Sequence, residues 1–178
     1  MSSAQLHVDR EHPWPALAAF REDDQSFFGG RNEEIEALYR RIVSSRLTLL
    51  FGLSGLGKTS LLRAGLFPRL RREHYFPVYI RLSYGRDLAS PVEQIKAEIA
   101  AQAKTSGVDA PAPRAGETLW EYFHRPDADF WDERNNPCIP VLVFDQFEEL
   151  FTKGREFPPR RTRWSRSCPT WPRGRRRS

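Results

Sequence analysis

Residues 47–64 read Leu47-Thr48-Leu49-Leu50-Phe51, then Gly52-Leu53-Ser54-Gly55-Leu56-Gly57-Lys58-Thr59, then Ser60-Leu61-Leu62-Arg63-Ala64. The middle block has the spacing G-x-x-x-x-G-K-[ST] of a phosphate-binding loop. Gly52, Gly55 and Gly57 let backbone N–H groups curl around an anion with no Cβ in the way, and Ser54 and Leu56 sit within the same curl. Lys58 supplies a point charge for β- and γ-phosphates, and Thr59 a hydroxyl for Mg²⁺. Ser60 stands where the following helix begins, among unpaired N–H groups and at the positive end of the dipole. The apolar run 47–51 predicts a strand and 60–64 a helix start, so the order is strand, loop, helix.

A second block completes that reading. Pro140-Val141-Leu142-Val143-Phe144-Asp145 predicts a fully buried strand ending in an acid. In P-loop proteins such a strand, the Walker B strand, delivers its carboxylate beside the phosphate loop at the C-terminal end of the sheet. Asp145 can there hold Mg²⁺, directly or through water, next to Thr59. Gln146-Phe147-Glu148-Glu149 follows. Hydrolysis needs a base or water-orienting group near the γ-phosphate, and Glu148 is the first choice and Glu149 the second. The position directly after Asp145, where hydrolytic P-loop ATPases commonly carry an acid, is Gln146. A GTPase would show Asp-x-x-Gly here, but Glu148 occupies the glycine position, and no Asn-Lys-x-Asp string occurs. Adenine is therefore the expected base.

The 178 residues have room for one domain with a core, and no apolar run approaches the roughly 20 residues of a membrane span. The polar start lacks a signal-peptide layout, so the expected location is cytoplasmic. Cys138 and Cys168, and His7, His12, His74 and His124, show no metal-ligand spacing. Residues 154–178 contain nine arginines and one acid, Glu156, a local charge of +8. Subtracted from the net +5, this leaves −3 on the other 153 residues. The basicity belongs to a tail.

Along the chain, residues 1–15 read as a loose lead. Asn32 is expected to cap a helix carrying Ile35, Leu38 and Ile42 on one face. The P-loop helix is expected to stop near Pro68. Phe76–Leu82 predicts a strand with Pro77 at its start. Ser90-Pro91-Val92-Glu93 is a capping box opening a helix that stops near Gly107. Residues 119–130 are expected to be helical in part. Alternating strands and helices predict an α/β fold with a parallel sheet.

The match goes beyond a generic phosphate loop. Residues 13–39, including Pro13-Trp14-Pro15 and Phe27-Phe28-Gly29-Gly30-Arg31-Asn32-Glu33-Glu34-Ile35, resemble the opening segment of the novel STAND NTPases. Leu61–Pro68 and Asp145-Gln146-Phe147-Glu148-Glu149-Leu150-Phe151 resemble theirs too. The resemblance implies an AAA+-related, ASCE-type P-loop domain with a three-layer αβα build and a mostly parallel sheet. It further implies an ATP/ADP-driven signalling switch, with Gly30 and Arg31 near adenine and ribose. Self-association through the domain, and appended helical, repeat or effector domains, are features of such relatives.

The resemblance is read as stopping near Lys153. The expected organisation is a leading segment over 1–26, a partial NTPase domain over 27–153 and an arginine- and proline-rich tail over 154–178. That tail reads either as a disordered basic arm for nucleic acid or acidic membrane, or as the product of a frame shift. The family's strand order 5-1-4-3-2 puts the fourth strand between the P-loop strand and the Walker B strand. Strands four and five would lie beyond residue 153, so the sheet is expected to be incomplete. Either an open slot or a strand slid into it then follows, with weak turnover at best. A basic-tailed nucleic-acid binder and an inert gene fragment are the rival readings.

Overall fold

The computed structural model describes residues 8–15, 18–85 and 87–156. A 3₁₀ turn, Glu22–Phe27, precedes helix α1, Asn32–Ser44. The P-loop leads into α2, Lys58–Ser60, which continues without a break through a π-helical segment, Leu61–Leu66, into α3, Phe67–Arg72. Strand β1, Tyr75–Ile80, helix α4, Pro91–Thr105, helix α5, Leu119–His124, strand β2, Ile139–Phe144, and helix α6, Glu149–Glu156, complete the order.

β1 and β2 form a two-stranded parallel sheet in which Tyr79 lies opposite Val143 and Ile80 opposite Phe144. Period-2 alternation sends the two faces to different helices. Phe76, Val78 and Ile80 pack with Ile95, Ile99 and Ala103 of α4, with Tyr122 of α5 and with Phe130; Leu142 and Phe144 lie on that side. Tyr75, Tyr79, Val141 and Val143 face Leu38 of α1 and Leu61, Leu62, Leu66, Phe67 and Leu70 of the P-loop helix. Helices thus cover both faces of the small sheet, and the parallel α/β expectation holds.

Several local expectations are corrected. Leu47–Phe51 forms no strand: Leu47, Leu49 and Phe51 are 77%, 76% and 90% exposed. A strand exists only through its ladder, and no described backbone pairs with 47–51, although the far edge of β2 is open. With one edge unpaired, β2 is half-buried rather than fully buried, and Ile139 is exposed. Pro77 lies inside β1, not at its start. It is tolerated because β1 is an edge strand and Pro77 shares its outward parity with Tyr79, whose N–H points away from β2. The P-loop helix runs past Pro68. The π-helical turn, with Phe67 N–H donating to Leu62 O, restarts the ladder so that Pro68 falls in a first turn, where a missing N–H costs least. α1 begins at Asn32 itself, with Arg31 in the cap position and no side-chain cap.

Two glutamines of α4 close the outer edge of β1 at Tyr79 and of the extended chain just beyond it at Ser83. Gln102 accepts from Tyr79 N–H at 2.8 Å and donates to Tyr79 O at 2.6 Å. Gln94 accepts from Ser83 N–H at 2.8 Å and donates to Ser83 O at 2.9 Å. Each side-chain amide stands in for the peptide group of a neighbouring strand. α4 itself starts on the expected capping box, Ser90 with Glu93, and ends before Gly107 in the left-handed region at φ +63°. α5 opens on a second box, Thr118 with Glu121.

Between α4 and α5 lies a buried ion cluster. Arg125 Nη1 donates to Glu117 Oε1 at 2.7 Å, and Lys96 Nζ stands 3.5 Å from Glu117 Oε2. Burial pushes the Glu117 carboxyl up, but the Arg114 amide, the Arg125 guanidinium and Lys96 outweigh it and hold the carboxyl below its ordinary 4.5.

The lead is packed where described. Val8 and Phe20 bury against Ala64, Phe20 N–H donates to Ser60 Oγ at 3.2 Å, and Arg71 pairs with Glu22 at 2.5 Å. The readings of the arginine-rich tail from residue 157 onward lie outside the described residues, while α6 crosses the boundary placed at 153. Among the described residues no helix is long and apolar enough to cross a membrane.

Candidate functional site

Glycine is required in the loop for conformation rather than for space. Gly55 and Gly57 sit at φ +83° and +71°, where a Cβ is strained, although one built on Gly55 would meet nothing within 4 Å. Gly57 is the residue before the helix, and Leu61 N–H closes the first helical turn on Gly57 O at 2.8 Å. The amides of Lys58, Thr59 and Ser60 therefore belong to the turn that has no carbonyl behind it. Lys58 arches back over the loop: its Nζ donates to Gly52 O and Leu53 O, both at 2.9 Å. Ser54, Gly55 and Leu56 form the exposed crest. A lysine ammonium lies over the loop beside the unpaired amides of a helix start, and these are the groups an oligophosphate needs.

The acid predicted to join them does so. Asp145 follows β2, and its N–H donates to Ile80 O at 2.9 Å, continuing the ladder. Its Oδ2 accepts from Thr59 Oγ1 at 3.1 Å, across 86 residues of chain. Oδ1 accepts the N–H of Gln146 at 3.0 Å; Gln146 itself sits at φ +53°. Two hard oxygens at adjacent octahedral positions, each about 2.1 Å from Mg²⁺, lie roughly 3.0 Å apart. Thr59 Oγ1 and Asp145 Oδ2, hydrogen-bonded at 3.1 Å, are hard oxygens close enough together that both could reach one such ion. Among the described residues no group of three His, Cys, Asp or Glu side chains forms a metal site.

Tyr79 belongs to none of the sequence motifs. Its phenol donates to the same Asp145 Oδ2 at 2.5 Å, and the Arg63 guanidinium lies over its ring at 5.1 Å. Burial first, then the hydrogen bond and charge of Asp145, push the phenol up to about 12, so it remains a donor. The available signal was alternation: Tyr79 faces the P-loop helix, near the end of the strand paired with β2. Arg81, also outside the motifs, donates to Gln146 Oε1.

The remaining predicted residues lie around this centre. Glu148 is exposed in the turn after Asp145, and Glu149 is half-buried at the first position of α6. Gly30, at φ +79°, precedes Arg31, whose Nη1 donates to Leu56 O at 2.9 Å and whose Nε pairs with Glu34 at 3.2 Å. Arg31 thus braces the loop crest from the α1 side. Ser60 turns away from the loop, buried and accepting from Phe20 N–H.

A family model, Novel STAND NTPase 1, matches residues 13–166. No curated protein and no solved structure matches the chain.

Proposed function

The chain belongs to the Novel STAND NTPase 1 family, and from that premise we propose that it binds ATP with Mg²⁺ at Gly52–Ser60 and Asp145 and works as a nucleotide-dependent switch. The observation that carries the reading is the hydrogen bond of Thr59 to Asp145, which brings the two halves of the site together. Lys58 and the loop amides bind the β- and γ-phosphates, with Gly52, Ser54, Gly55, Leu56 and Gly57 shaping the cradle. Thr59 and Asp145 hold Mg²⁺, which when bound neutralises charge between those phosphates. Arg31, held on Leu56 O, couples the crest to α1, and with Gly30 it borders the side on which the nucleoside would lie. Glu148, or Glu149 beside it, orients water if the γ-phosphate is cleaved. ATP and ADP act as ligands that bind two conformations with different affinity, and only that difference shifts the population.

The test is titration calorimetry with Mg²⁺. Lys58→Ala removes a charge-assisted contact on the phosphates, so ATP affinity should fall about tenfold or more, and ATP should outcompete GTP on the wild type. Equal ATP affinity in wild type and variant would overturn the assignment of the loop, and tighter GTP binding would overturn the adenine preference.

A further inference from the structure

We propose that Tyr79 is a positioning residue of this site, its phenol fixing the Asp145 carboxylate in the orientation that faces Thr59. The inference rests on the reading of Thr59 and Asp145 as the Mg²⁺ pair. Asp145 stands just past the end of β2, where among the described residues the Gln146 amide and the Thr59 hydroxyl are the other groups bonded to its carboxylate. Neither is a firm anchor. The amide belongs to the next residue and moves with Asp145, while Thr59 must itself turn lone pairs to a cation. Tyr79 is independent of both, because it comes from the neighbouring strand. Its donation at 2.5 Å to a carboxylate oxygen is a charge-assisted bond.

Tyr79 is also unusually well held. One glutamine, Gln102, bonds both its N–H and its C=O, at 2.8 and 2.6 Å. The Arg63 guanidinium covers the ring at 5.1 Å, and Arg63 projects from the same helix that carries Thr59. The register puts Tyr79 opposite Val143, two residues before Asp145. The phenol is thus tied to α4 through its backbone, to the P-loop helix through its ring and to Asp145 through its hydroxyl. A rigid donor of this kind lets a carboxylate receive a small cation with strict octahedral demands without first being ordered.

The test separates Mg²⁺ capture from nucleotide capture. ATP binding to wild type and Tyr79→Phe is measured across a Mg²⁺ series and in EDTA. In the variant the Mg²⁺ concentration for half-maximal enhancement of ATP binding should rise about tenfold, the size of a lost charge-assisted hydrogen bond. Affinity in EDTA should stay unchanged, which a general loosening of the fold would not allow. In an Asp145→Asn background the Tyr79→Phe change should no longer move the Mg²⁺ midpoint. An unchanged or lowered midpoint in Tyr79→Phe overturns the inference alone. Absence of any Mg²⁺-enhanced ATP binding in the wild type overturns the underlying site reading and the inference with it. Should Tyr79→Phe fail to fold by circular dichroism, 3-fluorotyrosine at position 79 keeps shape and hydroxyl. Its fluorine resonance should then move when Mg²⁺ is added to the ATP-loaded protein, and an unmoved resonance overturns the inference.

Discussion

Substituting Gly65 with alanine sets two opposed effects against each other. Gly65 lies in the π-helical segment, buried against α1. Alanine normally stabilises a helix relative to glycine by up to about 1 kcal/mol. Here, however, the added Cβ would lie 2.7 Å from Ile35 Cδ1, 2.8 Å from Ile35 Cγ1 and 3.2 Å from Phe28 Cε1. The Cδ1 end could rotate aside; Cγ1 could not without moving a β-branched side chain off its preferred rotamer or shifting α1. Overpacking of that kind costs about 1–3 kcal/mol. Taking 2 as its centre, the net loss is about 1 kcal/mol, or roughly a 0.5 M fall in urea midpoint for a slope of about 2 kcal/mol/M. The same displacement would carry Arg31 away from Leu56 O, so ATP affinity should fall with stability. Ile35→Ala deletes both clashing atoms. It should cost about 2–5 kcal/mol alone and distinctly less in the Gly65→Ala background. Urea denaturation of the four proteins and calorimetry with ATP measure both effects. A raised midpoint in Gly65→Ala, or strict additivity with Ile35→Ala, would refute the reasoning.

Two further outcomes are expected. Gln102→Ala strips the partners from Tyr79 N–H and C=O; it should destabilise by about 1–3 kcal/mol and promote self-association through the bared edge, read by urea denaturation and light scattering. Unchanged stability and a monodisperse sample would count against the edge-closing role. Glu117 is held below its ordinary 4.5 in the folded chain, so its contribution to stability is whole above about 4.5 and is lost as pH falls through the lowered folded value. Glu117→Gln should therefore be less stable than wild type at neutral pH, the two urea midpoints converging below pH 4.5. A gap independent of pH would contradict the assignment.

What could be read from the sequence was whatever local chemistry determines. The phosphate loop, the capping box at Ser90 and the pairing of Thr59 with Asp145 each follow from residue type and spacing, and the structure brings Thr59 and Asp145 within 3.1 Å. Leu47–Phe51 forms no strand because an apolar run supplies only side chains to bury, whereas a strand also needs a neighbour, and the neighbour is a non-local fact. Pro68 misled because a π-turn can absorb a missing donor, and nothing in the composition of Leu61–Leu66 announces one. Tyr79 and Gln102 were invisible for a third reason. Their roles depend on the parallel register of β1 with β2 and on the seat of α4, both settled by packing.

Thr59 and Asp145 are 86 residues apart, and that distance has a meaning in time. Helices such as Pro91–Thr105 close on near neighbours within about a microsecond, but parallel pairing of β1 with β2 must first meet the entropy of closing a long loop. Competence at the site therefore arrives late in folding, well after the loop motif exists. On a ribosome adding 5–20 residues per second, about 4–17 s separate the synthesis of Thr59 from that of Asp145. The bonds of Lys58 to Gly52 O and Leu53 O need nothing beyond residue 58, so a growing chain can shelter its loop cation before the acidic counterpart has been made.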